Sequence, residues 1–275
     1  MTTTLRPTGP IQRDTDGVRS RTYQVCVNSR PVGTTEIATH PVFGPTVGHV
    51  RYLAIDEPDR HRGRGTVAAL AAEEVLRGWG CTRVEATIPA AAPAALSLAT
   101  ALGYVERNRR MAKPLPASGP PELPAGSTGR PLTESEYPDW LAAKKASYAR
   151  TWMARGVPEE QARAKSERDY ARLLPDGLAT AGALLSVLTH EGTDVGTLWL
   201  ALQEDGAFVY DVEVDEQHRG HGHGRSLMLL AERQAADARA GTIGLNVFAG
   251  NTPALRLYES LGYEPLTYHL YKPLL

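Results

Sequence analysis

Cysteine is scarce in this sequence: 275 residues carry two, Cys26 and Cys81. They stand in no zinc-ribbon or Cys-x-x-Cys spacing, so a metal-stapled or dithiol-redox fold is excluded and no metal site is expected. A lone disulfide between them stays open. Reduced thiols in a cytoplasmic protein are the default expectation. Long apolar runs are missing as well. No stretch approaches the roughly 18 uninterrupted apolar residues of a membrane-spanning helix, so no membrane partner is expected. The opening Met-Thr-Thr-Thr-Leu-Arg-Pro lacks the basic-then-apolar order of a secretory signal. Net charge is nearly absent too, at −1 from 30 basic and 31 acidic side chains. Nothing in that balance calls for a nucleic acid partner. What is present is length enough for two domains, each with its own core.

The most informative positive feature is a repeat. Arg60-His61-Arg62-Gly63-Arg64-Gly65 returns as Arg219-Gly220-His221-Gly222-His223-Gly224. Both copies read Arg-x-x-Gly-x-Gly, follow an apolar run ending in Asp-Glu, and lead into a helical pattern. The offset of 159 holds without a gap from Val50–Leu115 to Val209–Leu274, with 19 identities in 66 positions. Composition alone would give roughly four or five, so the chain contains an internal duplication. The period is far longer than a solenoid unit, and each copy is expected to be a domain.

The chemistry of that run points to an anion. Strand, glycine turn and helix start together aim several backbone N–H groups and a positive helix end at one point. Glycines allow close approach and left-handed turns, and successive amides form a nest suited to phosphate or pyrophosphate. No Gly-Lys-Ser/Thr follows, so it is no P-loop, and the glycines are too tightly spaced for a dinucleotide fingerprint. His218, His221 and His223 resemble metal spacing only superficially. In a phosphate turn the backbone faces the ligand, and these side chains are expected to point outward.

The second half of each repeat narrows the reading. Leu245–Phe248 reads as a buried strand. It is followed by Asn251, a 3.6-period helix through Ala254, Leu255, Leu257, Tyr258 and Leu261, and the stop Gly262-Tyr263. With these motifs the chain resembles the GCN5-related N-acetyltransferase superfamily. Val214–Arg225 is similar to its acetyl-CoA pyrophosphate loop, and Val247–Tyr263 to its second cofactor motif. The resemblance covers about 130–275 well, and about 20–115 through the repeat. It implies an α/β (α+β) fold of two tandem domains, each a mixed, mostly antiparallel sheet flanked by helices. The expected division is a degenerate N-terminal domain (1–115), a Pro/Gly-rich linker (116–129) and a catalytic C-terminal domain (130–275).

Local signals fill in the elements. Residues 1–18 are polar, loose or a single starting strand. Tyr23–Val27 and Gly33–Thr39 read as a hairpin around Asn28-Ser29-Arg30-Pro31. Val50–Ile55 is a strand, Thr66–Trp79 a helix, Arg83–Ile88 a strand, and Ala94–Leu102 a helix closed by Gly103. Residues 114–129 hold five prolines and three glycines, as a linker would. Thr133-Glu134-Ser135-Glu136 has capping-box form and predicts a helix from there to about Arg155. A second helix is expected from Pro158 to about Leu174. Three antiparallel strands should follow, at Leu184–Thr189, Gly196–Leu202 and Phe208–Val214. The first copy has no counterpart to this helix pair. In the superfamily such helices form one wall of the acceptor pocket.

Overlaying the copies assigns the chemistry to the second. Asp211 corresponds to Tyr52, Glu213 to Ala54, Asn251 to Ala92 and Tyr258 to Ala99, while the apolar positions Leu70, Ile88, Leu96, Leu98 and Leu102 persist. The resemblance implies acetyl-CoA (CoA) as cofactor. Its pantetheine would lie along backbone near Val212 and Val214, and its pyrophosphate on Arg219, Gly220, His221, Gly222, His223, Gly224 and Arg225. Asn251 would bond the cofactor or cap its helix. Tyr258 takes the place of a tyrosine that protonates the leaving sulfur. Glu213 and Asp211 alternate along one strand face, and either can serve as base. The leading expectation is an acetyl-CoA-dependent transferase acting on a small amine: an amino sugar, antibiotic, polyamine or amino acid derivative. A protein or peptide N-acetyltransferase, a mycothiol-synthase-like tandem enzyme and a non-catalytic CoA-binding regulator are the alternatives. Monomer and homodimer both stay open.

Overall fold

The computed structural model describes residues 3–116, 119–154 and 156–274. The chain divides into two compact units. Unit 1 comprises Met1–Met111, Val247–Leu255 and Glu264–Leu275, and unit 2 comprises Ala112–Asn246 and Arg256–Tyr263.

In unit 1 the polar opening segment supplies β1 (Thr3–Pro7) and the short β2 (Gln12–Arg13), both antiparallel to β3 (Arg19–Val27). β4 (Arg30–His40) follows through a two-residue turn. Asn28 and Ser29 both take positive φ, 48° and 69°, the form whose twist matches the strands it joins. β5 (Gly44–Ile55) begins six residues ahead of the expected start. His40 Nδ1 accepts the amides of Val42 and Phe43, which tightens the turn and lets the ladder begin at once. Then come α1 (Arg64–Gly78), β6 (Arg83–Pro89), α2 (Pro93–Ala101) and β7 (Val105–Pro114), which runs from unit 1 into unit 2.

Unit 2 opens with β8 (Ser127–Pro131) and the helices α3 (Tyr137–Met153) and α4 (Glu159–Leu173). Three strands follow: β9 (Ala183–His190), β10 (Thr193–Gln203) and β11 (Gly206–Val214). The chain ends with α5 (His223–Asp237), β12 (Thr242–Phe248), α6 (Thr252–Ser260) and β13 (Glu264–Pro273).

Two expectations are corrected. The linker is shorter than 116–129, because Ser127–Pro131 pairs antiparallel with β9. Gly129 is there for proximity: a Cβ would lie 2.5 Å from Leu230 Cδ1. Residues 117–118 of that stretch lie outside the described residues. The first helix begins at Tyr137, not at Thr133. The Glu136 carboxylate accepts the Thr133 amide at 2.8 Å and its hydroxyl at 2.7 Å, but it also holds Arg130. The threonine hydroxyl is thereby turned away from the helix amides. Arg155, the expected end of that helix, lies outside the described residues.

Each unit has its own sheet order. Unit 1 runs β1-β3-β4-β5-β6-β13 and unit 2 runs β8-β9-β10-β11-β12. Pairing is antiparallel except at β5–β6 and β11–β12, the strands that flank each glycine loop and its helix. That is the mixed sheet the strand–loop–helix–strand order implies. In unit 1, α1 packs Ala72 and Leu76 on Ile37, Val84 and Ile88. The other face of the unit 2 sheet meets an aromatic cluster from α3 and α4, with Trp140 and Tyr170 against Trp199, Leu185 and Val187.

The end of each copy serves the other copy's unit. In unit 1 the buried Glu73 of α1 takes Lys272 of β13 at 2.7 Å. In unit 2 the buried Glu232 of α5, 159 positions on, takes Lys113 of β7 at 2.9 Å. Lys272 and Lys113 are themselves repeat equivalents. Cys26 and Cys81 are both buried and free, and burial pushes the Cys81 thiol up. No helix among the described residues is long and apolar enough to cross a membrane.

Candidate active site

The glycine loop of unit 2 takes the nest form expected of it. Gly220 (φ 83°) and Gly222 (φ 86°) are left-handed, and Gly222 stands at the N-terminus of α5 without a side-chain cap. Among the described residues, the amides of Gly220 through Gly224 donate to no acceptor within the protein. Five free donors at one helix start form a cradle for a multiply charged anion. A Cβ on Gly224 would meet Leu257 at 3.3 Å, so the third glycine lets α5 close on α6. Arg219 Nε reaches back to the Val214 carbonyl at 3.3 Å, and Arg225 ties to Ser260 Oγ at 2.6 Å.

The strand before the loop parts from its neighbour. β11 pairs with β12 only from Ala207 to Val209, opposite Ile243 to Leu245. Val212 and Val214 lie in the stretch beyond. A register shift at Trp199/Leu200 on β10 accompanies the parting. Asp211 sits directly across from Trp199, and Glu213 from Thr197. This puts both carboxylates on the sheet face that meets α3 and α4.

That face holds a residue the sequence reading did not single out. Lys144 of α3 is buried, with its side chain 5% exposed, and its Nζ lies 2.5 Å from Asp211 Oδ2. It also donates to Glu213 Oε2. The Asp211 contact is a close ion pair. Burial pushes the Asp211 carboxyl up, and the Lys144 charge opposes this. The signal was legible: Lys144 interrupts a stripe of Trp140, Tyr148 and Trp152 at helical spacing, a cation among aromatic core positions.

Tyr258 on α6 is half-buried, and its ring lies 6.0 Å from that of Tyr263. Burial first, and the Asp211 charge second, push its phenol up to about 12. It therefore keeps its proton through the neutral range. Asn251 is exposed and caps α6. Its Oδ1 accepts the Ala254 amide at 3.3 Å, and its carbonyl the Leu255 amide at 3.0 Å.

The histidines correct one expectation. His221 is exposed, but His223 is buried against His190, with ring centroids 4.9 Å apart. His190 in turn contacts Ser127 Oγ at 2.9 Å. The first residue of α5 points its side chain inward because β8 and β9 offer a partner there. Burial holds the His223 imidazole below its usual range, helped by His190, His221 and His218.

The family model described as "Acetyltransferase (GNAT) family" matches residues 3–104 and 143–263. A mycothiol acetyltransferase of Kytococcus sedentarius is 30% identical over 244 residues, covering 80% of this chain and 80% of its own length. The uncharacterized N-acetyltransferase YycN of Bacillus subtilis is 30% identical over 141 residues, 49% of this chain and 90% of its own. Among solved structures, a GCN5-related N-acetyltransferase from Sphaerobacter thermophilus superposes with a TM-score of 0.56 at 20% identity, covering 92% of this chain and 80% of that one.

Proposed function

We propose that this chain, which belongs to the acetyltransferase (GNAT) family, transfers the acetyl group of acetyl-CoA to the amine of a small molecule, with the chemistry in its second copy. The observation that carries the reading is the juxtaposition in unit 2. The free amides of Gly220–Gly224 adjoin a strand opened beyond Val209, which presents Asp211 and Glu213 on the face lined by α3 and α4. The amide nest fits a pyrophosphate, and the backbone near Val212 and Val214, paired to β10 but open on its β12 side, fits an extended amide-bearing arm. When bound, acetyl-CoA supplies an activated acetyl thioester.

The residues divide the proton work. Asp211 or Glu213 takes the proton that makes the acceptor amine nucleophilic. Tyr258, protonated at neutral pH, directs its hydroxyl at the departing sulfur and returns a proton to it. A phenol near 12 is a weak acid, so its contribution is a hydrogen bond that strengthens as charge grows on sulfur. The aromatic wall of Trp140, Tyr170 and Trp199 lowers the polarity on the inner side of that face, which strengthens the interactions of Asp211 more than those of the more exposed Glu213.

The test is thiol release from acetyl-CoA against a panel of primary amines, with acetylated product identified by mass. The name carried by the Kytococcus sedentarius relative makes a mycothiol-type acceptor one arm of the panel. Thiol release that no amine accelerates above the rate in water would sink the reading.

A further inference from the structure

Among the described residues, Lys144 is the buried cation on the face that meets α3 and α4, and its position asks for a role. It lies between the two carboxylates that the proposed reaction needs, in contact with Asp211 and hydrogen-bonded to Glu213. A lysine placed there for packing alone would cost more than the Leu or Met that its aromatic neighbours could accommodate. Asp211 is also met by groups from every element around it: Glu213 on its own strand, Tyr170 from α4, Tyr258 from α6, and Trp199 across the register on β10. None of these brings a positive charge; Lys144 supplies it.

We propose that Lys144 is a positioning residue for the base of this site: its ammonium, held between Asp211 and Glu213, lets both stay ionised with one net negative charge over the three groups, so that a carboxylate remains ionised beside the acceptor amine. The proposal rests on the functional reading above. Two carboxylates alternating on one strand, without a cation between them, would share a proton as like charges do. The shared proton would sit where the acceptor's proton has to go. With Lys144 in place, the first proton taken up is the one that leaves the amine. The lysine touches neither the acetyl donor nor the amine in this account, and acts through the carboxylates alone.

The experiment has two arms. In the first, the carboxyl carbons of Asp211 and Glu213 are titrated by NMR in the folded protein without acceptor, for the native chain and for Lys144→Met. The variant should move the upper midpoint of the pair upward by about one pH unit or more. Lys144→Arg should hold it near the native value. Midpoints that do not move in a folded Lys144→Met protein overturn the proposal. If that variant does not fold, the Nζ nitrogen of Lys144 is followed in the native chain. Its shift should change as the pair titrates, and a signal indifferent to the carboxylates overturns the proposal equally.

The second arm is the pH profile of kcat/KM, with acetyl-CoA and the amine found by the panel. The acidic limb of Lys144→Met should shift upward with the NMR midpoint, and activity should recover at high pH. A loss of equal size at every pH would overturn the proposal, since it would mean that Lys144 contacts substrate or only packs. The first arm needs no substrate. If no amine is acetylated, the functional reading fails while the carboxyl titration still decides the role of Lys144.

Discussion

The two copies keep the same cradle and differ in what stands beside it. In unit 2, β11 presents Asp211 and Glu213 to a face that α3 and α4 line with aromatic rings. In unit 1 the equivalent strand presents Tyr52 and Ala54, and Tyr52 is 54% exposed. Yet the unit 1 loop retains its backbone form. Gly63 has φ 72°, and His61 accepts φ 58° at the place where Gly220 stands in the other copy. A non-glycine residue held in that region costs roughly 1–2 kcal/mol, so the turn is maintained by the surrounding fold. Duplication has preserved the backbone geometry, while Asp211, Glu213, Asn251 and Tyr258 of the second copy correspond to Tyr52, Ala54, Ala92 and Ala99 in the first.

The sharpest way to break this comparison is at Tyr258. Its counterpart Ala99 is buried in the core of unit 1, where no phenol can be presented. Tyr258→Phe should lower kcat and kcat/KM together by about 10²–10⁴-fold, with CoA affinity little changed, since the ring remains and only the transition-state interaction goes. Steady-state kinetics on the true acceptor, with calorimetry for CoA, check it. A near-normal kcat would remove the phenol from the mechanism.

The exchanged lysines come next. Glu73→Ala leaves Lys272 facing an empty buried site in unit 1, and Glu232→Ala does the same to Lys113 in unit 2. Breaking such a pair costs about 3–5 kcal/mol. Each variant should therefore raise amide hydrogen exchange in its own unit first. Exchange that rises equally in both units would show that they unfold as one.

How much of this was legible is clear from particular residues. The hairpin around Asn28-Ser29, the glycine loops and the three antiparallel strands of unit 2 at β9, β10 and β11 follow local rules and appear near where those rules place them, though β4 begins earlier, at Arg30. The strand exchange was not legible. Lys113-Pro114-Leu115 and Lys272-Pro273-Leu274 are identical, so a pattern argument cannot say which sheet takes which strand. Pro and Gly at 114–129 read as a linker because composition does not reveal that Gly129 was needed for proximity to Leu230. The place of Lys144 in the stripe of Trp140, Tyr148 and Trp152 is legible, but a lysine on a helix is ordinarily solvated, and only the fold brings it against β11.

A smaller effect is expected from a matched pair in the loops. Gly222→Asp adds a Cβ at φ 86° and a like charge at the anion cradle, and should weaken CoA binding by at least about tenfold. Gly63→Asp carries the same backbone strain at φ 72° in unit 1 and should leave that affinity unchanged. Titrating CoA against both variants decides it. The reverse pattern would exchange the roles of the two copies.

The smallest expected difference is in acid sensitivity. Burial lowers the imidazoles of His49 and His269 in unit 1, and that of His223 in unit 2. The sign follows from linkage. Each group binds its proton less readily when folded than when unfolded, so stability is intact above the unfolded value near 6.5 and falls as pH drops below it. Above that value these groups contribute no slope. Unit 1 should then release up to two imidazoles to protonation on opening, and unit 2 one. Hydrogen exchange followed from pH 7 down to about 5.5, above the range where paired carboxylates titrate, should show unit 1 losing protection more steeply. His49→Gln should bring the two slopes together, because it removes one of the two unit 1 imidazoles that burial lowers, without adding a charge. A slope in unit 1 that survives loss of both His49 and His269 would place the acid-sensitive group elsewhere in that unit.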